Sequence, residues 1–196
     1  MTVRNDFLEK IIARKMAEVE KLSIEFPLDK LKSKAAKRLN YRSLRNRLEK
    51  PGVNGVNIIA EIKRASPSKG IINSNVDVGE QAKAYCLGGA AALSVLTERD
   101  FFLGSPDDLK EVRSSADIPV LRKDFILTPW QVYESAAMGA DALLLIVRAL
   151  EKDVLQKLYS LSKELGLDVI TEIHDENEME LALHAGVDII GVNNRN

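Results

Sequence analysis

Two patterns of apolar residues divide the chain. Over the first 50 residues Phe7, Ile11, Ile12, Met16, Val19 and Leu22 recur at helical spacing with Lys and Glu between them, and Asp6 stands where a cap would stand. A second helical stretch over 28–48 follows Pro27, and Pro51-Gly52 breaks the pattern. Residues 1–50 are thus expected to form two helices packed outside the main fold, with a coiled-coil or partner-binding helix as the alternative. From residue 56 onward, short and nearly continuous apolar runs alternate with amphipathic segments. The runs lie at 56–62, 92–96, 118–121, 142–147, 168–173 and 188–192, and the helical segments near 78–87, 106–115, 129–138, 152–165 and 176–184. Continuous apolar runs mark strands buried on both faces of a parallel sheet, so residues 51–196 are expected to be an α/β domain of six strands and five helices.

A weak repeat supports this reading. Leu87-Gly-Gly-Ala-Ala-Ala-Leu93, Met138-Gly-Ala-Asp-Ala-Leu143 and Ala185-Gly-Val-Asp-Ile-Ile190 each join a helix-ending glycine to an apolar strand. They mark helix-to-strand junctions on the rear of the sheet and concern stability rather than chemistry.

Composition narrows the function classes. At 196 residues the chain fits one fold. The 28 basic and 29 acidic residues balance to a formal charge of −1, which gives nucleic acid or an anionic membrane no electrostatic handle. The single cysteine, Cys86, sits in an apolar helical stretch and reads as packing rather than as a nucleophile. The N-terminus lacks a signal-peptide pattern and no stretch reaches the length of a membrane span, so a cytoplasmic setting is expected.

In a parallel βα array the strand C-termini and the loops after them line the functional face. Glu61 and Lys63, two apart, point to one side of the first strand. The third strand ends in Leu121-Arg-Lys-Asp-Phe125, the fifth in Thr171-Glu-Ile173 and the sixth in Val192-Asn-Asn-Arg-Asn196. Singly, each charge is an ordinary solvated group. Together, Glu61, Lys63, Lys123, Glu172, Asn193 and Arg195 are expected to converge on an anionic substrate undergoing proton transfer. Ser66-Pro-Ser-Lys-Gly70 is open between an anion-binding loop and a plain turn. His174 and His184 lack metal-site pairing and read as surface or rim residues.

Ile59-Ala-Glu-Ile-Lys-Arg-Ala-Ser-Pro-Ser-Lys-Gly70 resembles the signature of the indole-3-glycerol phosphate synthase family. The likeness continues through Leu93-Ser-Val-Leu-Thr-Glu98, Phe101-Phe102, Leu121-Arg-Lys-Asp-Phe-Ile126, Glu172-Ile-His-Asp-Glu176 and Ile190-Gly-Val-Asn-Asn-Arg-Asn196, and it includes the helical leader. The resemblance implies a (β/α)₈ TIM barrel with extra N-terminal helices, of which this chain would hold about six strands. It implies a carboxy-lyase that closes a carboxyphenylamino-deoxyribulose phosphate to indole-3-glycerol phosphate, with no metal or organic cofactor. It further implies Lys123 as general acid, Glu172 as proton partner in dehydration, Glu61 and Asn193 as orienting groups, and Lys63 at the anionic groups with a possible share of the acid role. Arg195 would lie near the substrate carboxylate, Ser66 would bind substrate, and Phe102, Phe125 and Leu144 would wall the anthranilate ring. The family continues beyond this chain with strands whose backbone amides hold the phosphate. The expectation is therefore weak binding and turnover for residues 1–196, with self-association or association with other tryptophan-pathway enzymes. Two readings of other classes stay open: a non-catalytic fragment that serves association, and a neighbouring phosphate-binding barrel such as phosphoribosylanthranilate isomerase.

Overall fold

The computed structural model describes residues 6–194. Arg195 lies outside the described residues, as does the Asp6 side chain with its possible capping role. Three helices come first, α1 (Asp6–Glu25), α2 (Leu28–Ala36) and α3 (Leu44–Leu48). Then come β1 (Ile59–Ile62), a small hairpin β2 (Ala65–Ser66) and β3 (Gly70–Ile71), α4 (Val78–Leu87), β4 (Ala92–Leu96), α5 (Pro106–Ser115) and β5 (Val120–Lys123). The order closes with α6 (Pro129–Ala137), β6 (Ala142–Ile146), α7 (Lys152–Glu164), β7 (Asp168–Ile173), α8 (Glu176–His184) and β8 (Ile190–Val192). The six long strands hydrogen-bond in the order β1-β4-β5-β6-β7-β8, and the pairings β1–β4, β4–β5, β5–β6 and β7–β8 are parallel. Alternating strands and helices produce this arrangement because parallel neighbours need a crossover between them.

Local chemistry sets the helix starts. Asp77, Ser105 and Asp175 precede α4, α5 and α8, and each side chain accepts a backbone N–H from the first turn. In α7, Leu155, Leu158, Tyr159 and Ser162 recur on one buried face. The repeat glycines Gly89, Gly139 and Gly186 have φ of +83°, +86° and +72°, the left-handed turn that lets the chain leave a helix and enter a strand.

Contacts group the residues into two compact units. One comprises 1–38, 125–137 and 144–196, and the other 39–124 and 138–143. In the first, Val19, Leu31 and Trp130 form a cluster joined by Leu22, Leu28, Tyr133 and Ala137, so α1 and α2 pack on α6. The Trp130 indole N–H donates to the Phe26 carbonyl at 3.0 Å. In the second, Asp141 is fully buried and accepts the backbone N–H groups of Arg42 at 2.9 Å and Val120 at 3.0 Å, with the Arg113 guanidinium 3.4 Å away.

Several elements depart from the sequence reading, among them the sixth strand, expected over 188–192, which begins at Ile190. The helix expected over 28–48 is two helices. Asn40 takes φ +60° between them, Arg38 donates to the carbonyls of Leu165 and Gly166, and Arg42 N bonds Asp141. These tertiary hydrogen bonds replace the helical ones. The first strand begins at Ile59 rather than 56, because the Asn57 amide is turned to the carbonyls of Leu48 and Lys50. The third strand runs to Lys123 and starts after Pro119, which has no N–H for the ladder. The segment 65–71, open between loop and turn, is a tight antiparallel hairpin.

Candidate active site

In the unit of residues 39–124 and 138–143, alternation along β1 sends Ile62 into the core and Glu61 and Lys63 to the other side, where Lys63 Nζ lies 2.5 Å from Glu61 Oε1. The strand register sets their level. Ile62 pairs with Val95 and Leu96 with Lys123, so Lys63, one residue past Ile62, stands level with Leu96 and Lys123 at the C-terminal ends of three adjacent strands. Strand spacing puts the Lys63 and Lys123 backbones on the order of 10 Å apart. The neighbours of Lys123 alternate to the reverse side. There Thr97 Oγ1 donates to Asp124 at 2.6 Å, and Arg122 reaches Thr97 at 3.1 Å and Asp124 at 3.1 Å, all buried. A buried ion pair on either side of Lys123 fixes the strand end that carries it.

Two loops flank this end. Glu98, also buried, accepts the backbone N–H groups of Asp100, Phe101 and Phe102 at 3.2, 2.7 and 3.1 Å, and so shapes the loop that carries Phe102. The Phe102 carbonyl in turn accepts from Ala65 N at 3.2 Å. Arg64 pairs with Asp108 through both guanidinium nitrogens, one at 2.9 Å. That contact raises the Arg64 pKa, the hydrogen bond to Asp108 outweighing partial burial. Ser66 is buried, and its hydroxyl accepts Lys69 N at 3.3 Å, closing the hairpin.

In the other unit, Ile170 and Glu172 of β7 share the less buried side while Val169, Thr171 and Ile173 are buried opposite. Glu172 pairs in register with Gly191, and Asn193, just past β8, donates from Nδ2 to Glu172 Oε1 at 2.9 Å. A cavity of about 360 Å³ is lined by Ile170, Glu172, Gly191, Val192, Asn193 and Asn194. Of the two places expected for His174, surface or rim, the ring takes the rim, half-buried beside Glu172. Its side chain is 13% exposed, with Nε2 3.7 Å from Glu172 Oε1 and Nδ1 3.3 Å from Glu178. Glu178 is itself buried against Arg148 at 2.9 Å and also accepts His174 N at 2.8 Å. A histidine two residues past a strand-end glutamate shares its side, which was the available signal. His184 is exposed. Phe125 is half-buried, its carbonyl accepting from Gln131 at 2.7 Å, and Leu144 is buried in β6.

A family model described as indole-3-glycerol phosphate synthase matches residues 8–196. The chain belongs to that family. Its members are carboxy-lyases of tryptophan biosynthesis, built on a (β/α)₈ barrel. Relatives named indole-3-glycerol phosphate synthase include those of Desulfosudis oleivorans, 49% identical over 191 residues, and Syntrophobacter fumaroxidans, 45% identical over 191 residues. These alignments cover 97% of this chain and 73% and 72% of the two relatives. The Carboxydothermus hydrogenoformans relative is 44% identical, with 96% of this chain and 73% of the relative covered. The fold also matches a multifunctional pyruvate carboxylase from Rhizobium etli at TM-score 0.51 and 14% identity, over 70% of this chain and 16% of that one. The carboxyl transferase domain of that enzyme matches at TM-score 0.52 and 13% identity, over 71% and 27%. Both likenesses concern the fold alone.

Among the described residues no three His, Cys, Asp or Glu side chains are grouped to hold a metal ion, and no helix is long and apolar enough to cross a membrane. Cys86 is half-buried, and burial pushes its thiol pKa up, the reverse of nucleophile activation.

Proposed function

We propose that Glu61, Lys63, Lys123, Glu172 and Asn193 carry the decarboxylating and dehydrating ring closure of 1-(2-carboxyphenylamino)-1-deoxyribulose 5-phosphate to indole-3-glycerol phosphate. The observation that carries the assignment is positional: each of these side chains lies at or just past a strand C-terminus, on the side away from the buried reverse face. Lys123 is the general acid. It protonates the substrate carbonyl as the aryl carbon attacks, where negative charge would otherwise build on oxygen. Loss of carbon dioxide restores the aromatic ring. Loss of the new hydroxyl as water then needs one proton delivered and one removed, and Glu172, held at Oε1 by Asn193, manages that exchange. Lys63, matched by Glu61 at 2.5 Å, is a fixed ion pair suited to the anionic groups of the substrate, with Glu61 orienting its hydroxyls.

Phe102, Phe125 and Leu144 form the apolar wall of the anthranilate ring, which keeps a flat substrate in attack geometry. Arg195 takes the carboxylate. Ser66, whose hydroxyl already serves Lys69 N, contributes through the hairpin it closes. The partner in this reading is a phosphorylated small molecule in the cytoplasm. Lys123→Ala tests the central role. In the complete enzyme, the chain extended through the family's two further βα units, turnover falls on the order of a hundredfold or more with little loss of stability, and near-normal turnover would take Lys123 out of the mechanism.

A further inference from the structure

Among the described residues two side-chain hydroxyls are buried without a hydrogen-bond partner, Ser94 Oγ and Thr171 Oγ1. Folds rarely leave a buried hydroxyl unsatisfied, because its lost hydration is not replaced. Strand alternation separates the two cases. In β4, Ser94 pairs with Glu61 on one side and with Leu121 on the other, and Leu96, two residues on, pairs with Lys123. Residues at one level of a parallel ladder point to the same face, as do residues two apart along a strand. Ser94 therefore shares the face of Glu61, Lys63 and Lys123, one strand from Glu61 and one layer beneath Lys123. Thr97, of opposite parity, faces the buried Arg122–Asp124 pair, which fixes the assignment of the two faces. Thr171 lies in β7 on the side of Val169 and Ile173, opposite Glu172, and is fully buried there.

We infer that the Ser94 hydroxyl is a substrate-positioning group. It donates a hydrogen bond to an oxygen of the polyol chain of the phosphorylated substrate, beside Glu61. The inference rests on the reading of Glu61, Lys63 and Lys123 as active-site groups. Serine suits the place, since its buried hydroxyl finds no partner within the fold and satisfies its hydrogen-bonding need only when the ligand arrives. Thr171 has the same unmet need on the reverse face and serves as the internal control.

The two roles differ in sign. A hydroxyl held by a protein partner stabilises the ligand-free fold, so its removal lowers the unfolding midpoint. A hydroxyl kept for a ligand does not, and its removal weakens binding alone. The test measures unfolding midpoints and dissociation constants for indole-3-glycerol phosphate in the unmodified chain, Ser94→Ala, Thr171→Val and Glu61→Gln. Ser94→Ala keeps or raises the midpoint and binds the product about three- to tenfold more weakly, the equivalent of one neutral hydrogen bond. Thr171→Val keeps or raises the midpoint and binds within twofold of the unmodified chain. Ser94→Ala binding within twofold of the unmodified chain, or unfolding at lower temperature, would overturn the inference. Glu61→Gln that binds the product within twofold of the unmodified chain would remove the site reading and the inference together. An impaired Glu61→Gln beside an unimpaired Ser94→Ala would remove the inference alone.

Discussion

Replacing Asp141 by alanine takes one carboxylate from the second copy of the Gly-x-Asp repeat and strands the donors gathered on it. Val120 N is fully buried and loses its acceptor, Arg42 N is part-buried and loses its own, and Arg113 keeps the Gly139 carbonyl at 3.0 Å as a second partner. An unsatisfied buried donor costs about 1–3 kcal/mol. Val120 N therefore contributes toward the top of that range, Arg42 N toward the bottom, and Arg113 little. No longer burying a carboxylate sets part of this back, which leaves about 2–3 kcal/mol of destabilisation. The third copy of the repeat supplies the control. Asp188 occupies the same place after Gly186, but it is less buried and meets the partly solvated Lys163 at 3.1 Å, so Asp188→Ala costs less, within about 1 kcal/mol. Urea unfolding of both variants beside the unmodified chain measures the two values. Equal effects at the two positions, or a loss below about 1 kcal/mol at Asp141, would refute the assignment of Asp141 as the joint between α5, β5 and the segment before α3.

Burial raises the Asp141 pKa above its ordinary value of 3.8, although Arg42 N, Val120 N and the two arginines pull it down. The folded chain then holds that proton more tightly than the unfolded one. The stability this group contributes is complete below 3.8 and is lost as pH rises through the higher folded value. The Asp141→Ala penalty is therefore largest near the acid end of a pH series and shrinks toward neutrality, and a penalty that grows with pH would contradict the burial argument. Leu31→Ala empties part of the α1–α2–α6 cluster and costs about 2–4 kcal/mol. Because Trp130 is the single tryptophan and packs on that cluster, its emission shifts to the red in the variant, and an unchanged spectrum would count against the packing.

Element types followed from the sequence itself. Continuous apolar runs dictated buried parallel strands, helical periodicity dictated the intervening helices, and period two put Glu61 and Lys63 on one side of β1, as the structure has them. These are properties of neighbouring residues, which any tertiary arrangement must respect. Partners distant in the chain were decided only on folding. The break between α2 and α3 follows from carbonyls at 165 and 166 and a carboxylate at 141, none of which leaves a mark near residue 40. Asp141 and Asp188 occupy equivalent places in the repeat, and only packing buries the first side chain completely while leaving the second partly exposed beside Lys163. His174 reads as a surface or rim residue by type and spacing, and only the fold shows that strand parity and the buried Glu178, paired with Arg148, hold its ring beside Glu172. The unmet hydrogen bond of Ser94 is likewise invisible in sequence, because what a hydroxyl lacks depends on every atom that surrounds it.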